Sequence, residues 1–130
     1  MIQFRLTFQP GTPIFEQVVY AAKKAILGGQ LKAGEPFPSV RALSRELKIN
    51  PNTAHKVVTH LINEGLLETH PGIGTVVSER RPPTDRERAR LLDGQLEQVV
   101  VESRRLNLSL EEVLQALREH WTRLDKGGQA

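Results

Sequence analysis

The chain contains no cysteine. That removes disulfide frameworks, thiolate catalysis and thiolate metal sites together, and it fits a reducing cytoplasm. No apolar run approaches the roughly 20 residues that a membrane-spanning helix needs, so no membrane partner is expected. The first residues, MIQFRLTFQPG, lack the cationic segment, apolar core and small-residue cleavage site of a secretory signal. G-x-S-x-G, the P-loop, H-E-x-x-H and paired carboxylates are all missing. The chain is therefore expected not to be an enzyme and to need no cofactor. At 130 residues there is room for one ordinary domain and a small appendage. No internal repeat or low-complexity segment interrupts it.

A net charge of +3 would not by itself point to nucleic acid. Its distribution is more informative. Residues 1–78 hold eight Lys/Arg against five Asp/Glu, whereas residues 79–130 hold ten of each. All the excess positive charge lies in the first part.

What that part contains is a dense set of local signals between Ala33 and Val77. Ser39 is placed to cap a short helix whose apolar face is Val40, Leu43 and Leu47. Asn50-Pro51 opens a second helix: Asn caps well, and Pro at the first position loses no hydrogen bond. Ala54, Val57, Val58, Leu61 and Ile62 form its inner face. Asn52, Thr53, His55, Lys56, Thr59, His60 and Asn63 point outward, with no Asp or Glu among them. Such a face suits the floor of a DNA major groove. Leu66–Thr69 and Thr75–Ser78 read as two strands around the tip His70-Pro71-Gly72-Ile73-Gly74. Two helices, a tight turn and a hairpin spell a winged helix-turn-helix.

Upstream, Ile2, Phe4, Leu6 and Phe8 alternate with polar residues and predict a short strand over Ile2–Phe8. Pro13 opens a helix to Leu27 whose packed side is Ile14, Val18, Ala21, Ala22, Ala25 and Ile26, and Gly28-Gly29 stops it. Downstream, SERRPP ends the domain, since two prolines cannot continue a ladder. Thr84 with Glu87 and Ser109 with Glu112 match capping boxes. The first starts a helix ending near Asn107 with a stripe of Leu92, Leu96, Val99 and Val100. The second starts one with Leu110, Val113, Leu114, Leu117, Trp121 and Leu124 at helical spacing. The expected layout is a mainly α chain with a small β-wing: residues 1–78 as the winged domain, 79–83 as linker, 84–125 as a two-helix hairpin and 126–130 as a frayed tail. Two helices have too little core to stand alone. Their stripes must bury against the winged domain or against a second copy, and a symmetric homodimer is favoured because such DNA readers use paired half-sites. The expected dimerisation residues are Leu92, Leu96, Val99, Val113, Leu117, Trp121 and Leu124.

The segment PFPSVRALSRELKINPNTAHKVVTHLINEGLLETHPGIGTVV also resembles the N-terminal domain of GntR-type bacterial transcription regulators. The likeness runs from about Pro13 to Val77, and INPNT with the short C-terminal region is most similar to the YtrA subfamily. The resemblance implies a cytoplasmic, sequence-specific transcription regulator, a repressor by expectation. Its partner would be a palindromic double-stranded DNA operator bound as a homodimer, with a nearby transporter operon under control. Larger members carry a C-terminal metal- or ligand-binding domain, for which the about 47 residues after the linker leave no room. A pyridoxal-phosphate fusion, found in another branch, would need a far longer chain. Release from DNA stays open between a small-molecule effector, a partner and no effector at all.

By the same resemblance Arg41 reaches a phosphate or base edge, the alternative being a solvated arginine or a partner for Glu46. Asn50 is first an N-cap. Thr53 matches the family threonine that binds phosphate. Asn52, His55 and Lys56 occupy the first exposed turn, where a helix N-terminus favours phosphate and side chains lie nearest base edges. Asn52 can pair with adenine. His55 replaces an arginine of the fatty-acid-responsive branch, as does Pro51, so that operator does not carry over. At the wing, Gly72 and Gly74 match G-x-G-T, and with His70 they suit minor-groove contact, the alternative being an ordinary hairpin tip. His55 and His60 lie about 140° apart on their helix and no acidic cluster joins them, so no metal is expected. A winged domain used only for protein contact would present an acidic or apolar face in place of this neutral-to-basic one.

Overall fold

A computed structural model of the chain describes Phe4 and residues 6–126. Contacts divide it into two compact units. Among the described residues, the first ends at Arg80 and takes in residues 124–126; the second spans Arg81–Arg123.

The first unit is built from helices α1 (Ile14–Leu27), α2 (Val40–Leu47) and α3 (Pro51–Asn63), followed by strands β1 (Leu67–His70) and β2 (Gly74–Val77). The strands pair antiparallel, Leu67 opposite Val77 and His70 opposite Gly74. α1 and α2 both pack on α3, and α3 packs on β1. Val18, Ala22 and Ala25 of α1, Leu43 of α2 and Ala54, Val57 and Leu61 of α3 are fully buried. Leu31 and Phe37 from the α1–α2 connection, with Leu67 and Val77 of the wing, close the same core. Short alanine side chains on α1 and α3 let helices approach closely while the branched residues fill the remaining space.

Local chemistry fixes each boundary. The Ser39 hydroxyl accepts from the Ala42 N–H at 3.0 Å, and Asn50 Oδ1 accepts from the Asn52 N–H at 2.7 Å, so α2 and α3 both start on a capping side chain. α3 ends at Gly65 (φ +79°), with Gly65 donating to Ile62 and Leu66 to Leu61. This paired closure satisfies carbonyls that would otherwise be orphaned. Because the Leu66 N–H is spent on α3, the ladder starts one residue later than expected, at Leu67.

Three expectations are corrected. Phe4 and Leu6–Phe8 form no strand, while Ile2, Gln3 and Arg5 lie outside the described residues. The outer edge of β2 is already taken: Gly34 and Phe37 donate to the carbonyls of Val77 and Thr75, and Val77 donates to Glu35. The alternation instead marks Phe4 entering the core, stacked on Phe37 with ring centroids 5.9 Å apart. On α1, Ile14 is exposed and Val19 is buried, since the helix starts only at Ile14 and its inner face is centred on Val18 and Ala22.

The third correction falls in the second unit. Both capping boxes form, with Thr84 and Ser109 each accepting from the N–H of a glutamate three residues on and receiving its carboxylate in return. The helix after Thr84 is not regular, however. α4 (Asp85–Ala89) passes into a π-helical turn over Arg90–Gln95 before α5 (Leu96–Arg105) resumes. The π turn includes Gly94, around which no atom lies within 4 Å of a Cβ position. α5 stops at Asn107 (φ +59°), with Asn107 donating to Arg104 and Leu108 to Ser103. α6 (Leu110–Asp125) follows. α5 and α6 do not pack closely along their lengths, and neither contains a buried residue. The expected tail is described only at Lys126; residues 127–130 lie outside the described residues.

The turn between α2 and α3 carries strain at one residue and is held by one side chain. Lys48 sits at φ +56°, in the left-handed region that costs a non-glycine residue roughly 1–2 kcal/mol. Ile49 is buried, and the Ser44 hydroxyl donates to its carbonyl at 2.6 Å. Lys48→Gly relieves the strain at some cost in unfolded-chain entropy and should raise the unfolding free energy by about 0.5 kcal/mol. The β-branched Lys48→Val should lower it by more than about 1 kcal/mol. Urea unfolding of the three proteins measures both effects.

Candidate nucleic-acid interface

The inner row of α3 is buried, so its outer row has only one direction to face. Asn52, His55, Lys56, Thr59 and Asn63 are exposed and Thr53 and His60 are half-buried. α3 carries no acidic residue. Asn50, the α3 cap, and Arg41, in the first turn of α2, are exposed as well. The Asn50 side-chain oxygen is committed to the helix. Its amide group is what remains for another molecule.

His55, Lys56, Thr59, His60 and Asn63 line one shallow groove, and its wall is Phe15 from α1. Asn52 and Thr53 do not line it; they lie at the opposite end of the face, on the first turn of α3. His60 is tied down. Phe15 meets its ring edge-on at 5.5 Å, and its Nε2 lies 3.2 Å from Glu64 Oε1. Lys23 of α1 reaches the same carboxylate oxygen at 3.0 Å. This cluster braces α3 against α1, and it marks the end of the acid-free surface.

At the wing tip Gly72 (φ +79°) and Gly74 (φ +106°) are both exposed, in backbone that side-chain-bearing residues rarely adopt. Ile73 between them is largely exposed. His70 is not a free donor. Its Nε2 lies 2.6 Å from Glu68 Oε2 on the same strand. Hydrogen bonds from His70 and Ser78 hold the Glu68 carboxyl below its ordinary pKa. The wing thus carries a persistent carboxylate beside its histidine. Among the described residues no three His, Asp or Glu side chains gather as a metal site. No described helix is long and apolar enough to cross a membrane.

Four contributors escaped the sequence reading: Phe15, Lys23, Ser44 and Glu64. Each works through a partner more than ten residues away or through a turn carbonyl, so no local spacing announces it. Ser44 alone left a trace, as a polar residue one position after buried Leu43.

Residues 15–77 match the family of bacterial regulatory proteins named gntR. The chain is similar to the HTH-type transcriptional repressor YtrA of Bacillus subtilis (strain 168), at 35% identity over 109 residues, which span 83% of this chain and 84% of that protein. The chain belongs to the GntR family. It is also similar to the HTH-type transcriptional regulator YhcF of the same organism, 30% identical, with 85% of this chain and 92% of that protein covered. In fold, the GntR chain resembles the crystal structure of a transcriptional antiterminator from Listeria monocytogenes EGD-e. The TM-score is 0.86 at 23% identity, covering 98% of this chain and 97% of that one. YtrA from Sulfolobus acidocaldarius has a TM-score of 0.54 at 22% identity, covering 92% and 97%. The family's members are transcription regulators, and a DNA-binding helix-turn-helix is the activity that membership implies.

The wing carboxylate gives a test of this surface. Glu68→Gln removes one negative charge from the wing. DNA affinity should rise a few-fold at low salt, and the gain should shrink as salt is added. Fluorescence anisotropy over a salt series measures it; unchanged affinity at low salt would place the wing away from DNA.

Proposed function

We propose that this GntR-family chain is a sequence-specific transcriptional repressor that binds a palindromic operator as a homodimer. The observation that carries the reading is the outer face of α3, acid-free and held in fixed rotation by a buried inner row. In this reading Thr53, Lys56 and Arg41 hold phosphates, while Asn52 and His55 read base edges. Asn50 secures the helix start, and Gly72 and Gly74 let the wing backbone approach the minor groove, with His70 free to take part once it leaves Glu68. Residues 79–83 act as linker and residues 84–125 supply the dimer contacts, among them Leu92, Leu96, Val99, Val113, Leu117, Trp121 and Leu124. The likeness to the repressor YtrA extends the reading to a cytoplasmic regulator of a nearby transporter operon.

Lys56→Ala should weaken binding about evenly across sequences and flatten the salt slope by about one counterion. Asn52→Ala or His55→Ala should instead change operator preference, at roughly 1–3 kcal/mol per lost base contact. Operators selected from a random pool, then footprinted with each variant, separate the two classes. Variants that bind every sequence like the parent would overturn the assignment.

Pairing is tested separately. Each winged unit reads few base pairs, and two held at fixed spacing bind as one through effective concentration. Truncation after Arg81 should leave a folded monomer, because every buried hydrophobic residue among those described lies at or before Val77. That monomer should bind a half-site weakly and a palindrome hardly better. Sedimentation and titration of both forms decide the point, and a full-length monomer bound one to one would refute the dimer.

A further inference from the structure

In an α-helix a residue stacks on those three and four positions before it. By that spacing Leu96 would lie over Asp93 and Leu92, and a carboxylate would break the apolar stripe. The π turn changes the neighbours. The Leu96 N–H donates to the Leu91 carbonyl, five residues back, so Leu96 lies over Leu91 and Leu92. Asp93 is displaced from the stripe by roughly one residue's rotation, about 100°. Leu91 and Leu92 are 54% and 57% exposed, and the face they begin continues through Leu96, Val99 and Val100.

No residue of α4, the π turn, α5 or α6 is buried, and α6 does not cover this face. Its occupant must be apolar and must tolerate the surrounding charge. Residues 81–123 carry eight Lys/Arg and eight Asp/Glu, so two copies meet without net repulsion. A strongly acidic or basic partner finds no complementary field. Every copy exposes the same face and has the same need, which suits a symmetric contact. We infer that the π turn sets the register of self-association, bringing Leu91 into the contact between two copies in place of Asp93. The inference rests on the dimer proposed above and adds to it a specific residue and a specific backbone device.

The experiment is sedimentation equilibrium of the full chain with three variants. Leu91→Glu places a charge on the face and should weaken the dimer at least about tenfold, the scale of losing one buried leucine per copy. Val101→Glu tests a somewhat more exposed apolar residue that lies about 140° around the helix from Leu96; it should change the constant by less than about threefold. Deleting Gly94 removes the extra residue and puts Leu91 four positions before Leu96 in an ordinary helix. The dimer should persist and its melting temperature should rise. A dimeric parent in which Leu91→Glu behaves like Val101→Glu, or in which the Gly94 deletion disperses the dimer, overturns the π-turn assignment alone. A monomeric parent overturns the dimer reading beneath it.

Discussion

One-sided burial of α3 is the constraint on which the remaining structure depends. Ala54, Val57, Val58 and Leu61 are all inside, against α1, α2 and the wing. Turning the helix by one residue, about 100°, would drive His55 and Lys56 into an apolar core without partners, at several kcal/mol. The rotation of the outer face is therefore set from within. Its position along the axis is set by the Asn50 cap at one end and the Gly65 closure at the other, and its tilt by Ser44 across the turn and the Lys23–Glu64–His60 brace. None of these groups needs to touch another molecule to decide what α3 presents.

The division of labour on the outer face follows from the same geometry. Asn52, His55 and Lys56 project from the helix without intramolecular commitments that would hold them back. His60 faces the same way but is held by Phe15 and Glu64, so it contributes placement more than recognition. The wing combines two glycines that lower the steric barrier to close approach with a carboxylate that raises the electrostatic one. In the proposed reading, contact with a polyanion would be a balance between these two, where a basic tip would have only attraction.

Helices and wing were legible in the sequence because their signals are local: Ser39, Asn50-Pro51, Thr84 with Glu87, Ser109 with Glu112, and the glycines at the tip. Caps and turns satisfy backbone groups within a few residues, so spacing alone reveals them. The candidate surface was legible for a related reason, since a face of α3 lacking both apolar and acidic residues can be counted off at 3.6 residues per turn. What failed was whatever depends on a distant partner. The alternation around Phe4 looks like a strand until residues 34–37 are seen to occupy the edge it would need. His70 looks like a free donor until Glu68, two residues away on the same strand, is placed beside it. The π turn was invisible because a heptad-like stripe through Leu92 and Leu96 is equally consistent with an ordinary helix, and the pattern does not show that Leu91 can serve as well.

The separation of buried residues between the two units has a thermodynamic consequence. Apolar surface newly wetted on unfolding is what raises heat capacity. Among the described residues the fully buried apolar side chains all fall between Phe4 and Val77, whereas the helices after Pro83 leave theirs at most partly covered. The heat-capacity increment of a single isolated chain thus belongs mainly to its first part, with a smaller share from the half-covered leucines and valines of the second. An increment beyond what both parts of the isolated chain account for reports surface covered by something other than the chain itself, and its size measures in calories per degree how much of the second unit that covering hides.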